Sequence, residues 1–347
     1  MKRIAVFGAG IAGSTFIRAM AAAPVEITLV DPKDYVEVPF AVLRALMDSE
    51  GFGRTVRAPI AQQFDVKHIQ AKLAELREGS ALLDDGRKVT FDYAVLATGS
   101  TIRGFDALKL AELTTQAERE AEWAAAHERL VAAEDVVIVG GGPIGVELAG
   151  EITAAYPDKR VTLIHATDRL LPALGRGASG KARRVLERHG VRVVLGQKAT
   201  VEVGSHSVRL TSGETLPVDV AYVATGIAID TSYLEDSFPE ARNGVGQATV
   251  DRYLRLTGSE NIFALGDIND VPGIKLGAFA ARQAKLTARN ISALLEARPL
   301  KAFRPITGTV GFVTLGRKAG IVQLPFVRLD PLIATKQKDM YVSRDLA

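Results

Sequence analysis

The sequence of 347 residues predicts an α/β fold with two similar parallel-sheet units, each carrying a β-meander insertion, followed by a short strand-rich tail. The main observation is a duplication. Residues 4–13 read IAVFGAGIAG and residues 136–145 read VVIVGGGPIG, so a short apolar strand twice leads through a glycine-rich turn into a helix-like stretch. The ends of two ATG segments and two turn glycines are each 127 residues apart: Gly99 with Gly226, and Gly86 with Gly213. Four matched features in one order indicate two copies of one βαβ–meander–β unit.

The first glycine motif predicts a dinucleotide-binding, Rossmann-like turn. Its first glycine permits the tight turn, the second lets the backbone approach a pyrophosphate, and the third allows close packing of helix on strand. The N-terminus of the helix then faces the negative phosphates. An acid that could hold a ribose hydroxyl follows 21 residues after the second glycine. The predicted contacts of this unit are Gly8, Gly10, Ile11, Ala12, Gly13, Asp31, Ala97, Thr98 and Gly99.

The second glycine motif has the same context but a different residue where its second strand ends. That position holds His165 instead of an acid. An acid there would favour NADH, because it binds the 2′-hydroxyl and repels a 2′-phosphate. His165, with Arg169 nearby, removes the repulsion and favours acceptance of NADPH beside NADH; the alternative is that His165 merely ends a strand. The predicted contacts of this unit are Gly140, Gly142, Ile144, Gly145, His165, Thr225 and Gly226.

Two charged residues are candidates for a part in the reaction. Glu147 is placed in the first turn of the second helix, where the helix dipole favours a carboxylate and where it could contact a nicotinamide amide or ribose. Gly266-Asp267 follows an apolar strand, and Asp267 could bond a polyol such as the ribityl chain of FAD. Lys275 precedes a long amphipathic stretch that begins near Leu276. The positive end of that helix and Lys275 could stabilise negative charge on a flavin, the alternative being a solvated loop lysine.

Composition excludes several other classes of function. The chain has no cysteine, which excludes disulfides, thiolate metal sites and a redox-active dithiol. A net charge of +3 without a run of basic residues gives no reason to expect nucleic-acid binding. The histidines have no ligand spacing, so no metal site is expected. No apolar run reaches the ~18–20 residues that span a bilayer.

The motifs GAGIAG, the two ATG segments, GGGPIG and ALGDIND together resemble those of flavoproteins with two dinucleotide-binding domains. In that superfamily the first motif binds FAD and the second binds NADH or NADPH. The segments DPKDYVEVPFAVLRAL, AYPDKRVTLIHA, FRPITGTVGFVTLGRKAG and KDMYVS resemble the ferroptosis-suppressor subfamily of apoptosis-inducing-factor-like proteins. With the duplication, the resemblance implies an FAD-binding domain of residues 1–104 plus 246–300, an NAD(P)H-binding domain of residues 105–245, and a tail domain of residues 301–347. The tail is expected to form two strands, residues 307–316 and 321–329.

The resemblance also implies an NAD(P)H:quinone oxidoreductase, in which a hydride passes to flavin N5 and electrons then pass to a quinone. Pro39 is expected to pack beside the isoalloxazine. Phe279 and Gln283 lie four residues apart on one face of the last long helix and could line an apolar slot with a polar end. Tail residues could complete this slot, although core packing is favoured for them: Phe312, Phe326, Met340 and Tyr341.

Two other functions stay open at this point. A ferredoxin or rubredoxin reductase would have a basic docking patch and poor activity with quinones. A flavin-based redox sensor or interaction protein would be reoxidised slowly by every small acceptor. A disulfide reductase is disfavoured, because residues 35–47 offer no dithiol and the 47-residue tail is short. The expected location is the cytoplasm, with a peripheral membrane contact if the acceptor is a lipid quinone.

Overall fold

The computed structural model describes residues 1–102, 114–201, 206–306 and 308–346. A five-stranded sheet carries the first unit, and its strands are β1 (Lys2–Phe7), β2 (Val25–Val30), β5 (Lys67–Ile69), β9 (Tyr93–Leu96) and β19 (Ile262–Ala264). Their order is β19-β9-β1-β2-β5, and every neighbouring pair is parallel. Because all strands run the same way, the loops that carry the glycine motif and ATG leave the sheet at one edge.

Within the described residues, the second sheet repeats the first except for its outermost strand, β19. Its strands are β11 (Asp135–Val139), β12 (Arg160–His165), β13 (Arg192–Leu195) and β17 (Val220–Val223). They are parallel in the order β13-β12-β11-β17. Each unit also carries an antiparallel meander: β6 (Leu73–Arg77), β7 (Ser80–Leu83) and β8 (Lys88–Thr90) in the first, and β14 (Ala199–Val201), β15 (Ser207–Leu210) and β16 (Thr215–Pro217) in the second. The predicted duplicated α/β fold is therefore confirmed.

Helices pack on both sheets, and four short strands form two further antiparallel pairs. The helices are α1 (Ile11–Met20), α2 (Val42–Met47), α3 (Phe52–Thr55), α4 (Ile60–Gln63), α5 (Gln116–Ala132), α6 (Pro143–Ala155), α7 (Arg176–Arg188), α8 (Gly277–Leu295), α9 (Ile333–Gln337) and α10 (Val342–Asp345). The antiparallel strand pairs are β3 (Tyr35–Glu37) with β4 (Arg57–Pro59), and β10 (Thr101–Ile102) with β18 (Ile227–Ala228). The start of α5 is fixed by a capping box, in which Thr115 and Glu118 each accept the other's backbone N–H.

The predicted division into domains stays a prediction at its first boundary, and the packing of the core bears on its second. The boundary between residues 104 and 105 lies outside the described residues. The predicted return at residues 245/246 conflicts with the packing, because Tyr233, Leu234 and Phe238 are buried together with Phe7 and Leu76 of the first unit. Apolar side chains that share one core fold together. This packing favours a return near β18, about residue 228.

The tail begins as predicted but ends differently. A hairpin of β20 (Gly311–Leu315) and β21 (Ala319–Gln323) forms, whereas Thr307 at the start of the predicted strand lies outside the described residues. The prediction of strand through residue 329 was wrong, because Pro325 cannot donate to the ladder and the chain turns at residues 324–327. Short helical turns follow from Asp330. The hairpin packs on α6, where a Cβ on Gly150 would collide with the backbone of Gly316.

A buried ion pair connects the first unit, the second unit and the tail. Arg44 of α2 donates from Nη2 and Nε to the carboxylate of Glu151 in α6 at 3.0 and 3.3 Å. Arg44 Nη1 donates to the carbonyl oxygen of Gln337 at 2.7 Å, and Arg317 Nε lies 3.3 Å from Glu151 Oε2. The Arg44 and Glu151 side chains are 4% and 1% exposed. Removing one partner would leave the other charge buried and uncompensated.

Replacing Glu151 with Gln is expected to lower the free energy of unfolding by about 3–5 kcal/mol, the usual consequence of breaking a buried pair from one side. The measurement is the shift in the denaturant midpoint of the holoprotein. Glu187→Gln is the matched control, because Glu187 pairs with Arg183 on the exposed face of α7 and such pairs contribute about 0.5 kcal/mol. Equal shifts for the two variants would contradict the assignment.

Candidate functional site

The turn between β1 and α1 is shaped by backbone contacts that exclude side chains. Gly8 has a φ of +105°, and a Cβ on it would collide with the carbonyl oxygen of Ala97. A Cβ on Gly13 would collide with the carbonyl oxygen of Gly8. Gly10 is different, because nothing lies within 4 Å of a Cβ built there. The open space is at the start of α1, which has no side-chain cap and no acid in its first turn. Such a helix start attracts an anion.

The turn between β11 and α6 has the same construction. Gly140 has a φ of +120°, and its Cβ would collide with the carbonyl oxygen of Ala224. A Cβ on Gly145 would collide with Gly140, whereas one on Gly142 meets nothing within 4 Å. Helix α6 also starts without a side-chain cap or a first-turn acid. The two turns therefore offer two equivalent anion sites, one in each unit.

The other motif residues lie around these turns. Ile11 and Ala12 are in the first turn of α1, Ile144 is in the first turn of α6, and the ATG residues follow β9 and β17: Ala97, Thr98 and Gly99 in the first unit, Thr225 and Gly226 in the second. Thr98 Oγ1 shares a 3.0 Å hydrogen bond with Tyr233 Oη. Burial raises the pKa of the Tyr233 phenol. Sequence reasoning missed Tyr233, because nothing local marks a tyrosine 135 residues away as a partner of ATG.

Asp31 and His165 each accept a backbone hydrogen bond from the glycine turn of their own unit. Asp31 Oδ2 accepts a hydrogen bond from Ala9 N at 2.6 Å, and Oδ1 accepts one from Lys33 N at 2.9 Å. His165 Nδ1 lies 3.1 Å from Gly141 N, the position that matches Ala9. Because Gly141 N–H donates, Nδ1 must be unprotonated, which places the proton of a neutral ring on Nε2. Burial lowers the pKa of His165, which favours this neutral form.

Asp267 and Lys275 lie together near the start of α8. Asp267 follows β19, and its Oδ2 accepts a 2.6 Å hydrogen bond from Ser100 Oγ. Ser100 was missed by the sequence analysis, although its position directly after ATG was an available signal. Lys275 Nζ donates to the carbonyl oxygens of Asn269 and Val271 at 2.5 and 3.3 Å. Partial burial lowers the pKa of Lys275, so this side chain is not a freely solvated loop lysine.

A pocket at the start of α8 brings four predicted residues together, namely Asp267, Lys275, Phe279 and Gln283. The other lining residues are mostly apolar and include Val271, Ile274, Ala280, Phe303, Pro305 and Ile306. The amide oxygen of Gln283 accepts from Gly266 N at 2.7 Å and from Asn269 Nδ2 at 3.0 Å. The polar end of the pocket is therefore formed by Asp267 and Lys275, while Gln283 holds their loop.

The four tail residues proposed for this pocket do not line it. Among them, Phe326 is 99% exposed, and Met340 is buried against Val38 and Val56. Tyr341 packs edge-on against Phe40 with ring centres 5.7 Å apart, and Phe312 is in β20. Of the two alternatives for these residues, the slot is the one they do not fit, because the tail packs across α6 and α2 while residues 303–306 reach α8.

Pro39 and Phe40 lie in the turn after β3. Pro39 is exposed, and it is the neighbouring Phe40 that reaches the start of α8. A Cβ on Gly277 would meet the ring of Phe40 and the side chain of Ile11. The turn that holds Pro39 therefore lies beside the positive end of α8, and Phe40 makes the contact there.

Glu147 faces the tail. It is in the second turn of α6, which begins at Pro143, so its placement in the first turn was wrong. Its Oε1 accepts hydrogen bonds from Thr314 N at 2.9 Å and from Lys336 Nζ at 2.5 Å. Lys336 is itself buried. The carboxylate therefore anchors β20 and α9 to the second unit, a partnership that no local sequence pattern could indicate.

The residues of the first unit fit FAD. Gly10 leaves a cradle that a Cβ would fill, Asp31 retains acceptor capacity for a ribose hydroxyl, and Asp267 with Ser100 provides polar atoms for a polyol. Among the described residues, no group of three His, Asp or Glu side chains is arranged to hold a metal ion. In the same part of the chain, no helix is both long and apolar enough to cross a bilayer.

Gly10→Val is expected to give a folded protein that does not retain flavin. A Cβ on Gly10 meets no protein atom, so the added side chain occupies only the predicted phosphate space. Gly142→Val is the matched variant: it should retain flavin but raise the KM for NADH by about tenfold or more, since it fills the equivalent space in the other unit. The measurements are the flavin-to-protein absorbance ratio and steady-state kinetics. Retention of flavin by Gly10→Val, or its loss from Gly142→Val, would refute the assignment.

The KM for NADH is expected to rise at acid pH because of His165. Its folded-state pKa is lowered from the ordinary value of about 6.5. The acceptor for Gly141 N–H is therefore intact at neutral pH and is lost as the pH falls through the lowered pKa. His165→Asn carries an uncharged oxygen that can accept the same bond, so its KM should be flatter with pH. Identical acid profiles for the two proteins would mean that another group titrates.

Comparisons with known proteins agree with this geometry. The family model for the pyridine nucleotide-disulphide oxidoreductases matches residues 2–284. The chain is 29% identical over 360 residues to ferroptosis suppressor protein 1 of Taeniopygia guttata, covering 99% of this chain and 94% of that protein. Among solved structures, NDH2 from Plasmodium falciparum in complex with NADH is similar with a TM-score of 0.79 at 15% identity, covering 100% of this chain and 95% of that one.

A ferredoxin reductase from Rhodopseudomonas palustris is similar with a TM-score of 0.74 at 22% identity, covering 93% of this chain and 83% of that one. At such identities the solved structures show the fold, while the family model covers both units and most of the chain. Both glycine turns, the ATG segments and the Asp267 loop lie within the matched residues. The chain belongs to the pyridine nucleotide-disulphide oxidoreductase family, and it is an oxidoreductase that uses FAD together with NADH or NADPH.

Proposed function

We propose that the protein is an NAD(P)H:quinone oxidoreductase. The first unit, residues 1–104 with the segment that returns after β18, binds FAD, and the second unit binds the nicotinamide nucleotide. Bound FAD supplies the chemistry of accepting a hydride from the nucleotide and delivering two electrons to an acceptor. The protein supplies binding, orientation and electrostatics, so no nucleophilic side chain is needed.

Different residues of the first unit bind different parts of FAD. The start of α1 at Gly10 holds the pyrophosphate, and Asp31 holds a ribose hydroxyl while it fixes the turn through Ala9 N. Asp267, oriented by Ser100, bonds the polyol chain. Helix α8 directs its positive end at the same region, and a helix N-terminus is equivalent to about half a positive charge. These groups favour negative charge where the reaction develops it.

The main support for a quinone acceptor is the pocket at the start of α8, called the α8 pocket. Its walls are apolar side chains, including Phe279, Phe303 and Ile306, and its polar end is Asp267 with Lys275. A quinone needs this combination, because a flat apolar ring must be enclosed while its carbonyl oxygens find a donor. The cavity has a volume of about 20 Å³, so its walls must move apart to admit the ring. Lys275 is a donor held in place by the 269–271 loop. The resemblance to the ferroptosis-suppressor subfamily points to the same class of acceptor.

The direct test compares NADH oxidation with a water-soluble short-chain ubiquinone and with oxygen alone. Turnover with the quinone should exceed that with oxygen by about tenfold or more. If nucleotide reduces the flavin but quinone adds nothing, the quinone assignment fails and a protein electron carrier becomes the better acceptor.

Phe279→Ala is expected to lower kcat/KM for the quinone by about tenfold, as for the loss of a buried aromatic side chain. Its flavin content and its ferricyanide reduction should be unchanged, because ferricyanide does not need to enter the pocket. Leu82→Ala is the control, since Leu82 is an exposed apolar residue of the meander. An equal loss with ferricyanide would mean that Phe279 supports the flavin and not the quinone.

A further inference from the structure

An apolar turn follows β21 in the tail. Gln323 and Arg328 pair antiparallel on its two sides, and the turn between them is called the hairpin tip, as distinct from the turn between β20 and β21. Residues 324–327 read Leu-Pro-Phe-Val and close a tight turn, in which Leu324 N–H donates to the carbonyl oxygen of Val327 at 2.8 Å. Phe326 is 99% exposed, and four other apolar residues of the tail and the segment before it are also exposed: Val327 at 47%, Leu332 at 48%, Leu329 at 39% and Ile306 at 38%. Turn tips normally carry Gly, Pro, Asn, Asp or Ser, and of these the tip has only Pro325. A group of exposed apolar residues of this kind marks an interaction surface.

A basic helix lies beside this tip. Helix α7 carries Arg or Lys at five positions and a single acid, Glu187. Its first turns contact the base of the hairpin, because a Cβ on Gly177 would lie 3.3 Å from Arg328 Nη1. Lys181 Nζ donates to the carbonyl oxygen of Gly320 and to Asp330 Oδ2, both at 2.7 Å. Gly177, Lys181 and Arg184 share one face by their helical spacing. The exposed Arg184 and the exposed Arg176, which precedes Gly177 at the start of the helix, form the basic face of α7. Exposed positive charge therefore adjoins the apolar tip.

The tip also adjoins the α8 pocket. Ile306 lines that pocket, and a Cβ on Gly308 would lie 2.9 Å from Pro325 Cβ. Two residues of extended chain span at most about 7 Å. The apolar surface therefore runs from the hairpin tip to the rim of the pocket.

We propose that the hairpin tip and the basic face of α7 form a surface that docks on a lipid bilayer containing anionic phospholipids. The bilayer matches both halves of the surface, because its interface takes up apolar side chains while its negative charge attracts arginine and lysine. An acidic protein carrier would pair with α7 but leave Phe326 without an apolar partner. A second copy of the chain would bring two positive faces together. The docking rests on this surface alone, and it places the pocket rim at the membrane where quinones with long apolar tails dissolve.

The test is co-sedimentation of the holoprotein with phosphatidylcholine vesicles, with and without phosphatidylglycerol. The protein should bind the anionic vesicles, and added salt should weaken the binding. Phe326→Ser should weaken it about tenfold, the change expected when an aromatic side chain no longer enters an apolar phase. Arg176→Glu with Arg184→Glu should weaken it by about fivefold or more for each arginine. All variants should retain their flavin, their thermal midpoint and their turnover with a short-chain quinone.

Two variants control for composition alone. Val245→Ser removes another exposed apolar side chain, 77% exposed in a distant turn, and Arg209→Glu reverses an exposed charge on β15. Both should bind vesicles like the original protein. The proposal is overturned if Phe326→Ser binds as tightly as Val245→Ser, if the protein binds neither kind of vesicle, or if Phe326→Ser changes the oligomeric state and leaves vesicle binding unaltered. A failure of short-chain quinone turnover with intact vesicle binding would instead refute the acceptor, not the docking.

Discussion

The arrangement of this protein depends on two helices that begin at a glycine without a side-chain cap. The first N–H groups of any helix lack partners within it, and neither α1 nor α6 has a capping side chain or a first-turn acid. The strand before each helix turns so tightly that a side chain on Gly8 or Gly140 would strike the next strand's ATG carbonyl. Phosphate groups are the natural partners of such helix starts. The same constraint, applied twice, produces the two nucleotide sites.

The two sites can act together only if the units keep a fixed relation, and buried charges provide it. Arg44 and Glu151 join the first unit to the second, and Gln337 extends the link to the tail. Glu147 and Lys336 add a second buried connection between α6 and the tail. These pairs are costly to break from one side, so they hold the two units and the tail together. The same tail carries residues 303–306 to the α8 pocket and presents the exposed hairpin tip.

Features governed by local backbone geometry were predictable from the sequence, and features governed by distant partners were not. The glycine turns and the helix after Lys275 follow from spacing and residue type, and the structure contains both. The contacts of Glu147 with the tail were not foreseen, because its partners are 167 and 189 residues away. Ser100 and Phe40 were missed because their roles depend on loops that meet only in the folded chain. The tail strand was predicted too long because apolar residues after Pro325 were assumed to be buried.

The central claim is that the two units, with FAD bound to the first, together take a hydride from a nicotinamide nucleotide. An anaerobic titration of the purified protein tests this claim most directly. The protein should be yellow as isolated, or become so when reconstituted with FAD, in a ratio of one flavin per chain. Addition of NADH in the absence of oxygen should bleach the visible flavin absorbance fully at about one equivalent. A protein that binds no FAD, or one whose bound flavin keeps its absorbance with excess NADH and with excess NADPH, would contradict the account.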